Sequence, residues 1–219
     1  MKCKYDAVLF DLDGTLSQSH EGVKASLIYA LNQTGKPIPA EIEDTSRYIG
    51  PPLMDTFRNM CGLTQEEADK AAELYKYIYQ KENKLKNYCY EGIPELLSDL
   101  KASGVKLGVA TTKYEPFAEE VLKIIGIYDM FDTVSGTTAD GRVKEKSQTI
   151  EAAVKRMNCT ANDKIVLIGD SMFDTLGAKE TGIDFIGVLY GYGRQSDMEK
   201  CGGSIFAETA DALKQLLSE

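Results

Sequence analysis

The sequence predicts an α/β protein, a doubly wound, mainly parallel sheet with an all-helical domain inserted after its first strand. Two observations carry this. From about residue 90 onward, short apolar runs alternate with amphipathic stretches, and between Leu16 and about Asn87 no strand-like run occurs. A strand covered on both faces is continuously apolar rather than alternating. Strand–helix–strand alternation implies right-handed crossovers within one sheet.

The first strand is the run Ala7-Val8-Leu9-Phe10. Residues 23–34, 42–48, 53–61 and 65–86 then read as helices, with Pro37 and Pro39 marking a loop among them. This places a helical cap over residues 17–87 and the core over 1–16 and 88–219. Residues 94–103 carry Leu96, Leu97 and Leu100 at helical spacing and stop at Gly104, a C-terminal signal. The strand 105–110, the helix 116–125 ending at Gly126 and a weaker strand at 131–134 come next. A helix at 148–157, a strand at 165–168, a helix at 173–181 stopping at Gly182 and a strand at 185–189 complete the series. In the insert, Tyr75, Tyr77 and Tyr79 spread around their helix, which favours packing and surface roles.

Composition narrows the function. The chain has 219 residues, 43% hydrophobic and 27% charged, with a net charge of −9, ordinary for a soluble globular protein. A surface that tracks nucleic-acid phosphates needs clustered Lys and Arg, and none occurs, so no nucleic-acid polymer is expected as partner. A small anionic substrate is compatible with a locally positive site. Five scattered cysteines without a Cys-x-x-Cys pair argue for reduced thiols and against structural zinc. No run suits a signal peptide or a membrane span. The expectation is a cytoplasmic monomer or weak homodimer with no membrane partner.

Chemistry collects where strands end, the place where open α/β sheets bind ligands. Asp11-Leu12-Asp13-Gly14-Thr15 follows the first strand, Thr111-Thr112-Lys113 the second, and Gly169-Asp170-Ser171-Met172-Phe173-Asp174 follows 165–168. Lys144 and Lys146 precede the helix near Gln148. Two acids after a buried strand need a cation, a proton or hydrogen bonds to compensate them. Simpler roles compete at each site. Asp11 and Asp13 suit a helix cap, Gly169-Asp170 an ordinary turn, and Asp174 the positive end of a helix. His20, the single histidine, suits a solvated loop, and without a catalytic histidine, Ser/His/Asp chemistry has no support.

Taken together, these clusters resemble the four motifs of the haloacid dehalogenase superfamily. Asp-Leu-Asp-Gly-Thr-Leu is similar to the first motif, Thr111 to the second, a lysine before a helix to the third and Gly-Asp-x-x-x-Asp to the fourth. The insert's position is similar to that of the family's C1-type cap. The stretches Ile49-Gly50-Pro51-Pro52-Leu53 and Gly187-Val188-Leu189-Tyr190-Gly191-Tyr192-Gly193 resemble phosphoglycolate phosphatase-like bacterial phosphatases, among which are 5′-nucleotidases.

The resemblance implies a phosphatase for small phosphomonoesters. Asp11 is its nucleophile and forms an aspartyl-phosphate, and Asp13 is its general acid and base, with Thr15 orienting Asp13. Mg²⁺ is the implied cofactor, held by Asp11, the Asp13 carbonyl, Asp170 and Asp174. Thr111, Thr112, the backbone from Gly14 to Leu16 and a lysine bind phosphoryl oxygens. Relatives commonly place that lysine just before the helix, which favours Lys146 and leaves Lys144 open. Arg47 is the cap's candidate for a substrate carboxylate, against a surface ion pair with Glu43 or Asp44. A sugar-phosphate mutase of the same superfamily is the nearest rival, and a phospho-accepting signalling domain a distant one.

Overall fold

The computed structural model describes residues 2–139 and 142–219. Among them, a six-stranded sheet forms from β1 (Ala7–Phe10), β4 (Lys106–Tyr114), β5 (Thr133–Thr137), β6 (Ile165–Gly169), β7 (Asp184–Val188) and β8 (Phe206–Ala207). Its order is β5-β4-β1-β6-β7-β8, with every pair parallel. β1 is central: Phe10 lies opposite both Val109 and Ile168. This is the fold class the apolar runs predict.

Alternate residues of β1 enter different cores. Val8 and Phe10 join one cluster with Val109, Ile168 and the cap, whereas Ala7 and Leu9 join Ile150, Ala153 and Ala178 on the other face. Both faces are therefore covered, which explains the unbroken apolar run. Each fully buried Leu or Phe contributes roughly 1.5–3 kcal/mol relative to exposure. The covering helices are α4 (Ile93–Ala102), α5 (Glu115–Ile124), α6 (Lys146–Arg156), α7 (Met172–Thr181), α8 (Gln195–Cys201) and α9 (Ala210–Leu217). The last strand and the last two helices were not among the elements expected from the sequence.

The chain leaves and re-enters the core through a two-stranded antiparallel ribbon, β2 (Ser17–Gln18) against β3 (Tyr88–Cys89). Ser17 lies opposite Cys89 and Gln18 opposite Tyr88, a pairing the sequence does not predict. Ser17 Oγ donates to Asn87 Oδ1 at 2.9 Å and ties the two crossings together.

Within the insert, α1 (His20–Gln33) packs on α3 (Gln65–Lys81). The expected helix at 42–48 is instead two 3-10 turns, Ala40–Glu43 and Thr45–Arg47. Asp44 separates them by accepting from the Ser46 amide at 3.2 Å, a local bond that competes with helix continuation. The expected 53–61 helix is one α-turn, α2 (Leu53–Asp55), followed by a π-turn, Thr56–Met60. α3 opens on a capping box between Thr64 and Glu67 and stops at Lys81, five residues short of expectation. No helix of the described residues is long and apolar enough to cross a membrane.

Candidate active site

Asp11 is the first residue beyond β1. Its amide donates to the Ile168 carbonyl at 2.8 Å, so the sheet's ladder fixes the backbone that carries the carboxylate. Lys146, the first residue of α6, reaches the same point from the side: Nζ donates to Asp11 Oδ1 at 2.6 Å and to the Ala110 carbonyl at 2.8 Å. It also lies 2.6 Å from Asp174 Oδ1. Lys144 is exposed and lies away from these acids, its backbone amide bonded to Gln148 Oε1.

Asp170 follows β6 and is 3% exposed. Its Oδ2 accepts from the amides of Tyr192 at 2.7 Å and Gly193 at 3.2 Å. Asp174 lies one turn into α7 and is 1% exposed. Its Oδ2 accepts from the Ser171 amide at 3.0 Å and from the Ser171 hydroxyl at 2.5 Å. Ser171 is also the N-cap of α7, so one side chain starts the helix and aims its carboxylate. Gly14 makes the close approach possible. Its φ is +92°, and a Cβ there would sit 2.3 Å from Asp170 Oδ2.

Asp13 turns the other way. Lys113 Nζ contacts both of its carboxylate oxygens, at 2.9 and 3.2 Å, and lies 4.6 Å from the centre of the Tyr79 ring. The Thr111 hydroxyl, buried at the end of the apolar part of β4, accepts from the Lys113 amide at 3.2 Å. From sequence, Lys113 has no role beyond its place two residues after Thr111. Thr15 does not orient Asp13 as expected. Its hydroxyl is buried without a hydrogen-bond partner, and its carbonyl accepts from Tyr190 OH at 3.1 Å.

Burial sets the electrostatics. It pushes Asp11 up to about 7, with Lys146 pulling down and Asp174 and Asp13 pushing further up. Burial likewise raises Asp170 well above the carboxylate range, helped by Asp174 and Asp11 and opposed by the two amides. Burial alone would lower Lys146, but Asp11 and Asp174 outweigh it and hold the ammonium above lysine's usual value.

The family model described as haloacid dehalogenase-like hydrolase matches residues 8–188. The chain belongs to this family. It is a hydrolase of the phosphatase kind. It is 36% identical over 212 residues to the tyrosine-protein kinase PtkA of Mycobacterium tuberculosis, covering 96% of this chain and 72% of that one. It is 32% identical over 214 residues to a 5′-nucleotidase of Pseudomonas aeruginosa, covering 98% and 96%. Among solved structures, a predicted phosphatase from Clostridium acetobutylicum superposes with a TM-score of 0.90 at 32% identity, covering 97% of each chain.

Haloacid dehalogenase-like phosphatases imply Mg²⁺, and the donor set here fits that ion. Asp11, Asp170 and Asp174 each bring one carboxylate oxygen within 4.8 Å of the others. All three are buried; Lys146 pairs with Asp11 and Asp174, whereas Asp170 is met by the Tyr192 and Gly193 amides. Hard oxygen ligands and surplus buried negative charge are what a small divalent cation satisfies.

A cavity of about 320 Å³ opens beside Asp13, between core and cap. Thr112, Lys113 and Lys144 line its core side, and Leu53, Tyr75 and Tyr79 its cap side. Tyr75 and Tyr79 stack with ring centroids 5.8 Å apart. They stand four residues apart and face one way, whereas Tyr77 is exposed. Arg47 is not in this cavity. It ends a 3-10 turn and is exposed, lining outer clefts with Pro51 and Phe173, while Tyr48 and Ile49 turn inward. The acids expected to pair with it are taken, Glu43 by Lys24 and Asp44 by Arg194. His20 is not on a solvated loop: it begins α1 and packs edge-on against Tyr192.

Proposed function

We propose that the chain is a Mg²⁺-dependent phosphatase of small phosphomonoesters that works through an aspartyl-phosphate on Asp11. The observation that supports this most is the convergence of Asp170, Asp174 and Lys146 on Asp11 at the tip of the central strand. Phosphoryl transfer asks a protein mainly for positioning and charge, and this arrangement supplies both.

In this reading Asp11, held by β1 and Lys146, attacks phosphorus in line with the leaving oxygen. Lys146 and Thr111 hold the phosphoryl oxygens as negative charge shifts. Asp13, three atoms of backbone beyond Leu12 and facing the cavity, gives its proton to the leaving oxygen. It then takes one from the water that cleaves the acyl phosphate, freeing Asp11. Asp11, Asp170 and Asp174 would hold Mg²⁺ together with the Asp13 carbonyl. The ion, when bound, screens the anionic nucleophile from the anionic phosphate. The amides of Gly14 and Thr15, expected as phosphoryl donors, already donate to the Ser17 and Leu12 carbonyls at 2.9 and 3.3 Å, which leaves Thr112 as the backbone donor in this reading. Lys144 lines the cavity rim rather than the phosphoryl site, so Lys146 takes the phosphate role.

The cavity selects the leaving group, with phosphoglycolate and nucleoside monophosphates as leading substrates. A phosphomonoester panel with Mg²⁺ and with chelator, reading released phosphate, tests this. Turnover of small esters that is lost with chelator supports it. Activity confined to phosphoprotein or nucleic acid overturns it, as does isomerisation without phosphate release. Transfer from ATP to a tyrosine peptide in place of hydrolysis would instead align the chain with PtkA.

A further inference from the structure

The cavity carries a charge balance opposite to that of the whole chain. Lys76, Lys113 and Lys144 line it against the single carboxylate of Asp13, in a protein of net charge −9. A positive recess inside a negative envelope concentrates anions. The phosphoryl group accounts for Lys146 and the Asp11 rim but leaves the cavity lysines without a task.

Lys113 is the one whose position constrains catalysis. Its side chain is 9% exposed. Burial alone would lower its ammonium, but Asp13, Tyr79 and Tyr75 outweigh burial and hold it above lysine's usual value. In this position an ammonium contacts both oxygens of Asp13 and takes one acceptor site on each, so a leaving oxygen competes with Lys113 for the carboxylate. Drawing Lys113 aside would therefore leave Asp13 freer to meet the leaving oxygen. A buried ammonium does not leave one anion without another to receive it, since an uncompensated charge is costly. Tyr79 keeps Nζ on the cavity side, where a substrate's far end would lie.

We propose that Lys113 is a specificity-determining and positioning residue that exchanges Asp13 for a second anionic group on the substrate's leaving side. That group is a carboxylate or a second phosphate, and its arrival frees Asp13 to serve the leaving oxygen. A phosphomonoester without a second anion leaves Lys113 on Asp13 and reacts slowly. The proposal rests on the phosphatase reading and adds to it a coupling between recognition and proton transfer.

The test compares kcat/KM for three esters on one two-carbon frame: ethyl phosphate, phosphoglycolate and ethane-1,2-diol bisphosphate. The enzymes are the Mg²⁺-loaded wild type, Lys113→Met, Lys113→Gln and Lys113→Arg. The wild type is expected to prefer at least one dianionic-ended ester over ethyl phosphate by about tenfold or more. The two arms tell carboxylate from phosphate. In Lys113→Met or Lys113→Gln that ratio falls close to one, and Lys113→Arg restores part of it. Because each ratio is taken within one protein, partial loss of fold cancels, and either neutral variant suffices if the other does not fold. A wild-type ratio near one, or neutral variants that lower all three esters by the same factor, would overturn the proposal. Turnover of none of the three, nor of the wider panel, would overturn the phosphatase reading itself and this inference with it.

Discussion

Lys146 stands between two buried carboxylates, and its removal should separate charge balance from chemistry. Lys146→Met leaves Asp11 and Asp174 without their ammonium, a loss of about 3–5 kcal/mol for a broken buried pair. Thermal melting should show that loss in chelator, and millimolar Mg²⁺ should recover more of it than it adds to the wild type. An equal Mg²⁺ shift in both proteins would count against the triad as a cation site. Asp11→Asn removes a desolvated anion, so turnover should fall by at least about a thousandfold while the melting temperature holds or rises. Near-wild-type rates would exclude Asp11 as nucleophile. At this scale the sequence exposes what lies next to a strand end: Asp11, Thr111 and Asp170 each directly follow an apolar run. It hides what pairs through space. Lys113 and Asp13 are 100 positions apart, and nothing in either local pattern announces their contact. Thr15 shows the opposite error, since adjacency to Asp13 suggested a contact that the turn at Gly14 directs elsewhere.

Among the elements, α7 joins folding and site most directly. Ser171 and Asp174 cap one another at its N-terminus, and the same Asp174 offers Oδ1 to the acid cluster. Ser171→Ala should therefore cost about 1 kcal/mol as a lost cap and weaken Mg²⁺ binding about tenfold through a freed carboxylate. Calorimetric titration with Mg²⁺ checks the second effect independently of activity; unchanged affinity would reduce Ser171 to a cap alone. Strands and helices of the core were legible because burial on both faces imposes continuous apolar runs, and Gly104, Gly126 and Gly182 mark helix ends by their left-handed backbone. The cap was legible as helical but not in its details. Asp44 and the π-turn at Thr56–Met60 break helices through local bonds that a periodicity argument does not weigh. The two-residue strands β2, β3 and β8 are too short to show any period at all.

Across the whole molecule, cap and core share one hydrophobic cluster, with Phe57 and Tyr79 of the cap in the same connected set as Phe10 and Ile168 of the sheet. Lys113 reaching Tyr79 and Tyr192 packing on His20 add polar ties across the junction. The exposed Asp44–Arg194 pair adds little, being screened by solvent. Such continuity makes joint unfolding the expected behaviour, and two thiols can report it. Cys61 lies at the end of the cap's π-turn and Cys89 in the ribbon that joins cap to core. Burial pushes each from an ordinary 9.0 up to about 11. At pH 8 the thiolate fraction is then about a hundredfold below that of a free cysteine, and alkylation should slow by a similar factor. A raised folded pKa means that the native state holds its protons more tightly than the unfolded chain. The corresponding stabilisation is complete below pH 9 and is lost as pH climbs from 9 to 11. Tyr5 and Tyr48, pushed up to about 12 chiefly by burial, extend the decline upward from pH 10. Melting temperature should therefore change little on account of these groups between pH 7 and 9 and fall beyond it, with both thiols becoming reactive in the same transition. Cys61 alkylating at pH 8 at the rate of a free thiol, while Cys89 stays protected, would instead mean that the cap opens without the core.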